Sequence, residues 1–101
     1  MDIAAADIVQ ATAGREAGRY YFVLSRDGEY LFLSDGKSRK AEAPKRKKCK
    51  HVRFIARQDG GVAEKIRSSE KITNSELRKA IAAFGELGNP DQEGSPWQNP
   101  I

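Results

Sequence analysis

Over the first half of the chain, apolar residues come in short runs punctuated by Gly, Asp and Pro; helical spacing begins only in the second half. Asp7 to Thr12 is a β-prone stretch. Arg19-Tyr20-Tyr21-Phe22-Val23-Leu24-Ser25 is the strongest strand, aromatic and β-branched with apolar side chains on both faces. The loop Ala13-Gly14-Arg15-Glu16-Ala17-Gly18 separates the two. Asp27-Gly28 reads as a type I′ hairpin turn, which takes positive φ at both central positions, so Tyr30 to Ser34 returns as a third strand. Asp35-Gly36 repeats that turn and predicts a fourth strand over Lys37 to Glu42. Pro44 ends it, having no N–H for a ladder. His51 to Ala56 forms a fifth strand before Asp59-Gly60-Gly61 breaks it. Five short strands joined by tight turns predict a small closed or nearly closed barrel, since closure removes the edges that so apolar a sheet would expose.

The period then changes. Thr73-Asn74-Ser75-Glu76 is a capping-box signature, in which the Thr73 hydroxyl accepts the N3 amide and Glu76 reaches back. Leu77, Ala80, Ile81 and Phe84 recur at helical spacing, giving one apolar stripe to lay on the barrel. Val62 to Ser69 predicts a further helical turn or two, and the main helix should stop near Gly85 to Gly88. Beyond Asn89 three prolines stand among polar residues, with Trp97 and Ile101 the sizeable apolar groups. The predicted organisation is a barrel over 1–57, a helical appendage over 58–88 and a flexible tail over 89–101.

Charge changes this picture most. Residues 37–57 hold ten Lys or Arg against one acid, Glu42, a local net of +9. Residues 1–36 hold three basic and six acidic groups, and residues 58–101 hold five and seven, so the rest of the chain is acidic and the whole sums to +4. Segregation of this kind raises self-repulsion in the folded state, and its common use is an electrostatic footprint for polyanions. The two glycines of the first loop permit close approach of backbone to another surface. Arg15 and Arg19 bracket that loop with guanidinium groups suited to bidentate phosphate binding. The loop is no Walker motif, lacking the terminal Gly-Lys-Ser/Thr and a following helix.

Composition narrows the remaining classes. A chain of 101 residues with 39% hydrophobic content makes one domain with a small core. One cysteine excludes an intramolecular disulfide, the N-terminus has neither a basic nor an apolar signal region, and Tyr20 to Leu24 is far too short to span a bilayer. A cytoplasmic monomer away from membranes is expected. Cys49 and His51 cannot complete a zinc site of the usual ligand types without further Cys or His, and no nucleophile–base arrangement or carboxylate pair is legible. The expectation is therefore a protein without catalytic activity, metal or cofactor. Tyr20 and Tyr30 are the aromatic residues best placed to face a ligand, the others being needed inside so small a barrel.

Asp7-Ile8-Val9, then Ala13-Gly14-Arg15-Glu16-Ala17-Gly18 and the apolar strand through Leu24, resemble the KOW motif of several ribosomal proteins and of the transcription factor NusG. Ser34-Asp35-Gly36-Lys37-Ser38-Arg39-Lys40 and Pro44-Lys45-Arg46-Lys47-Lys48-Cys49-Lys50-His51 extend the likeness. Together they are similar to small bacterial KOW-domain RNA-binding proteins, relatives of KOW-bearing large-subunit ribosomal proteins. The resemblance covers residues 1–57 well and the helix loosely. Ala6 stands where such motifs commonly carry glycine, and Cys49 where a larger aliphatic residue is expected. The resemblance implies an SH3-like five-stranded barrel binding ribosomal or other structured RNA, in a ribosome- or translation-associated role. The expected RNA-binding residues are Arg15, Arg19, Lys37, Arg39, Lys40, Lys45, Arg46, Lys47, Lys48, Lys50 and His51. An SH3-like protein-interaction module, docking a transcription or translation factor on its basic face, is the competing expectation.

Overall fold

Strands β1 (Asp7–Ala11), β2 (Tyr20–Asp27), β3 (Tyr30–Ser34), β4 (Lys45–Lys48) and β5 (Val52–Arg57) form one antiparallel sheet in the order β4-β3-β2-β1-β5, followed by helices α1 (Gly61–Arg67) and α2 (Asn74–Gly88). The computed structural model describes residues 2–88, with side chains through Phe84; the predicted tail over 89–101, with Trp97, lies outside the described residues. No helix among them is long and apolar enough to cross a membrane.

The two apolar faces of β1 and β2 bury on two different cores. Directly opposed residues of an antiparallel pair share a face. Val9 and Tyr21 pair and point to one side, joined by Ile3, Ala11, Val23, Leu31 and Leu33, with Cys49, Val52 and Phe54 packed against them. Ile8 and Phe22 pair and point to the other side, where Ala63, Ile66 and Leu77 of the helices meet them. Leu77 is fully buried there, and burial of a side chain of that size contributes roughly 1.5–3 kcal/mol. Tyr20 lies on this helical side, its ring edge-on to Phe84 at a centroid distance of 5.5 Å, so it is a packing residue and not the open platform expected of it.

The capping box forms as its residues dictate. Glu76 N–H donates to Thr73 Oγ1 at 3.1 Å, and Thr73 N–H to Glu76 Oε1 at 2.9 Å. Lys65 on α1 donates to Glu76 Oε2 at 2.6 Å, tying the helices together. Asn74 seats α2 on the β3–β4 loop, accepting from the Ala41 N–H at 2.8 Å and donating to Glu42 at 2.9 Å.

Several expectations are corrected. The hairpin loop between β2 and β3 is Gly28-Glu29, and only Gly28 has positive φ (+62°), the pattern of a type II′ turn and not of type I′. Asp35-Gly36 makes no second hairpin, because its carboxylate organises a wider loop. The fourth strand is not Lys37 to Glu42 but Lys45–Lys48, and Pro44 precedes it, where its missing N–H is tolerated. The sheet is not a closed barrel: β4 and β5 do not pair. A 3-10 turn over Cys49–His51 joins them, held by Cys49 N–H to Glu29 O at 2.8 Å and Thr12 N–H to His51 O at 2.9 Å. Cys49 therefore packs from this turn onto the core that holds Val9 and Tyr21. Ala6, at the position expected to carry glycine, is buried with φ +75°, a left-handed conformation that costs an L-residue roughly 1–2 kcal/mol.

Candidate functional site

Strand period divides the four consecutive basic residues of β4. Lys45 and Lys47 face Leu33 and Leu31 across the ladder, and both leucines are fully buried; Arg46 and Lys48 face Phe32 and Tyr30 on the other side. The inward pair needs a counter-charge, and Glu16 of the β1–β2 loop supplies it. Lys47 Nζ lies 3.3 Å from Glu16 Oε1 and donates to Ala13 O at 2.9 Å; Lys45 Nζ lies 3.4 Å from Glu16 Oε2. Only 10% of the Lys47 side chain is exposed, which makes it a structural clasp between β4 and the β1–β2 loop. Gly14 (φ +84°) makes the clasp possible, since a Cβ there would sit 3.1 Å from Glu16 Oε1 and 3.4 Å from Lys47 Nζ.

The outward pair behaves differently. The Arg46 guanidinium lies 4.4 Å from the Tyr30 ring centroid and the Lys48 ammonium 5.8 Å from it. Such contacts contribute roughly 0.5–1 kcal/mol at exposed sites and orient the cations without neutralising them. Tyr30, half-buried, accordingly serves as a seat for these two cations. Among the described residues Arg15, Arg19, Lys37, Lys40, Arg46, Lys48 and Lys50 make no ion pair. His51 is half-buried as the last residue of the 3-10 turn.

Asp35 builds the loop that carries Lys37, Arg39 and Lys40. Its Oδ1 accepts the N–H of Lys37 and of Arg39, and its Oδ2 the Ser38 hydroxyl, each at 2.9 Å. Burial alone would raise the Asp35 pKa, but these donors together hold it below its ordinary 3.8. The Arg39 carbonyl closes the loop by accepting Ser34 Oγ at 2.7 Å and Gly36 N–H at 3.0 Å. Arg39 thereby reaches across to the β1–β2 loop, 3.9 Å from Glu16 Oε2. Between the two loops lies a cavity of about 210 Å³ lined by Arg15, Glu16, Arg19, Tyr21, Ser38 and Arg39. Arg15, Arg19 and Arg39 thus come together, while Arg46 and Lys48 stand on edge strand β4 and Lys50 on the turn that follows it. Glu16, Tyr21 and Ser38 were not among the expected site residues. The one local signal was a lone acid, Glu16, inside a Gly-Arg loop.

Glu16 makes the clasp pH-sensitive. Its own backbone N–H and the Lys47 and Lys45 ammoniums, against burial, hold its pKa at about 2 in place of 4.5. A carboxylate with a depressed folded-state pKa stabilises in full above its unfolded value and loses that contribution as pH falls to the folded value. Thermal unfolding should therefore occur at progressively lower temperature from pH 4.5 towards pH 2, and Glu16→Gln should lower the midpoint at pH 7 while making the acid decline shallower. Glu76, held at about 2 by Lys65 and the Thr73 N–H, keeps some decline in that variant. Parallel curves for the two proteins would show that Glu16 does not carry the effect.

Compared with known proteins, the chain matches no protein-family model and no curated protein.

Proposed function

We propose that this protein is an RNA-binding module of the KOW type, an SH3-like fold that engages ribosomal or other structured RNA in a translation-associated role. The observation that carries the reading is the division of the basic segment by strand period. Lys47 and Lys45 are spent on Glu16 inside the fold, whereas Arg46 and Lys48, with Lys50, Lys37, Lys40, Arg15 and Arg19, stay without acidic partners among the described residues. Cations left unpaired around one sheet edge and its two adjoining loops form a surface for phosphates. Phosphate contacts fix register and orientation, and the shape of folded RNA provides selectivity without base reading. The five-stranded antiparallel order, with a 3-10 turn joining the two edge strands, supports the SH3-like assignment.

The test is the salt dependence of binding to a structured RNA hairpin and to a homopolymer, followed by fluorescence anisotropy. Binding of the hairpin should be the tighter and should weaken steeply with salt, with a slope of roughly −0.7 to −0.9 in log K against log salt per phosphate contacted. Absence of salt-dependent binding to either RNA would overturn the proposal in favour of docking on an acidic protein.

A further inference from the structure

The cavity between the β1–β2 and β3–β4 loops holds an arrangement that the general basic surface does not explain. We propose that it seats a single phosphate group, gripped by Arg15, Arg19 and Arg39 at its walls and by the Tyr21 hydroxyl at its floor. Taking RNA as the source of that phosphate rests on the function proposed above.

Tyr21 is the most telling residue. It is 1% exposed, lines the cavity, and its hydroxyl has no hydrogen-bond partner among the described residues. Buried hydroxyls are generally paired, and one left without a partner calls for an explanation such as a ligand. Ser38 lines the same cavity; its own proton goes to Asp35 Oδ2 at 2.9 Å, and its oxygen, close enough to lower the Tyr21 pKa somewhat, does not meet the hydroxyl in hydrogen-bonding geometry. Burial first, then the Asp35 and Glu16 carboxylates, push the Tyr21 pKa above its ordinary 10.0, so the group stays a protonated donor. A phosphate oxygen is the acceptor that would satisfy it.

Charge and size favour the same ligand. Three arginines line the cavity against one acid, Glu16, which is held by Lys45 and Lys47 at 3.4 and 3.3 Å and lies farther, 3.9 Å, from Arg39. Asp35, the other nearby acid, has both oxygens engaged by Lys37, Arg39 and Ser38. Planar guanidinium forks match phosphate oxygens in bidentate geometry. At about 210 Å³ the cavity is smaller than the roughly 300–1,000 Å³ of sites enclosing a whole organic ligand. A phosphate group fits, leaving sugar and base outside, so the grip is blind to sequence.

The experiment uses the full chain, Tyr21→Phe, the pair Arg15→Gln with Arg39→Gln, and Arg46→Gln with Lys48→Gln as a control outside the cavity. Each is titrated with inorganic phosphate, following the arginine Nε–H signals by NMR, and separately with a structured RNA hairpin; thermal melts check folding. Inorganic phosphate should saturate the Arg15, Arg19 and Arg39 signals in the full chain. Tyr21→Phe should weaken phosphate and RNA binding about tenfold, the scale of a hydrogen bond to a charged group. It should melt no lower than the parent, because the removed hydroxyl has no partner in the free protein. The arginine pair should lose phosphate saturation, and the control should keep it. Saturation by phosphate without binding of RNA would uphold the site, overturn its RNA source and leave a free phosphate as its ligand. RNA binding that survives in both cavity variants but falls in the control would overturn the site and leave the RNA reading standing. A Tyr21→Phe variant that loses stability would show a structural hydroxyl and also overturn the site.

Discussion

Gly36→Ala should lower the unfolding temperature by roughly 8–40 °C, the largest stability effect expected of a glycine-to-alanine change at Gly14, Gly18, Gly28, Gly36, Gly60 or Gly61. Two terms add. Gly36 has φ +74°, and an L-residue in that region costs about 1–2 kcal/mol. The new methyl group would also collide with the Asn74 carbonyl oxygen and lie 3.0 Å from Leu77 Cβ and 3.1 Å from the Arg78 nitrogen. The first turn of α2 would have to lift from the β3–β4 loop, where overpacking typically costs a further 1–3 kcal/mol or so. Arg78 donating to Gly36 O at 3.0 Å and Asn74 bonding Ala41 would be strained together. Gly28→Ala is the internal control: it shares a positive φ (+62°) but nothing lies within 4 Å of the added Cβ. It should show the backbone term alone, a decrease of roughly 4–16 °C. Equal melting temperatures for the two variants would mean that α2 does not press on Gly36.

The second large effect separates the two faces of β4. Arg46→Gln, Lys48→Gln and Lys50→Gln combined should flatten the salt dependence of RNA binding by roughly 2–3 units in log K against log salt if each cation contacts one phosphate. The thermal midpoint should fall by roughly 4–16 °C, the worth of the two cation–π contacts to Tyr30, and by no more, since none of the three has an ion pair among the described residues. Lys47→Gln should lower stability while the slope stays near that of the parent, because it breaks the clasp to Ala13 and Glu16. A variant altering the whole run at once would confound loss of binding with loss of the loop's anchor. Equal slopes in the triple variant and the parent would show that the outward face of β4 does not meet RNA.

Much of the architecture is legible locally because its physical causes are local. In β2 the run Tyr20-Tyr21-Phe22-Val23-Leu24 is apolar on both faces, and the structure gives each face its own core. The capping box of α2 was likewise readable from Thr73 and Glu76, two residues that satisfy each other's backbone groups within one turn. Lys45-Arg46-Lys47-Lys48 gave no such signal. An alternating apolar pattern normally announces a strand, and a run of cations has none, so the segment read as an irregular stretch following Pro44. It becomes a strand because β3 offers it a ladder and because Glu16, far away in the chain, absorbs its inward charges.

The sequence by itself determined the antiparallel strand content through β3, the helix starting at Thr73, the concentration of positive charge and the Gly-Arg loop. Each depends on residues within one turn or one strand of each other, where side-chain period and backbone capping act. Only the tertiary structure decided that the sheet stays open between β4 and β5, that the inward half of the basic strand pairs with Glu16, and that Arg15, Arg19 and Arg39 line one cavity with Tyr21. Those outcomes depend on pairing between loops and strands distant in sequence. An ion pair or a buried hydroxyl acquires its partner, or lacks one, only after the chain has closed on itself.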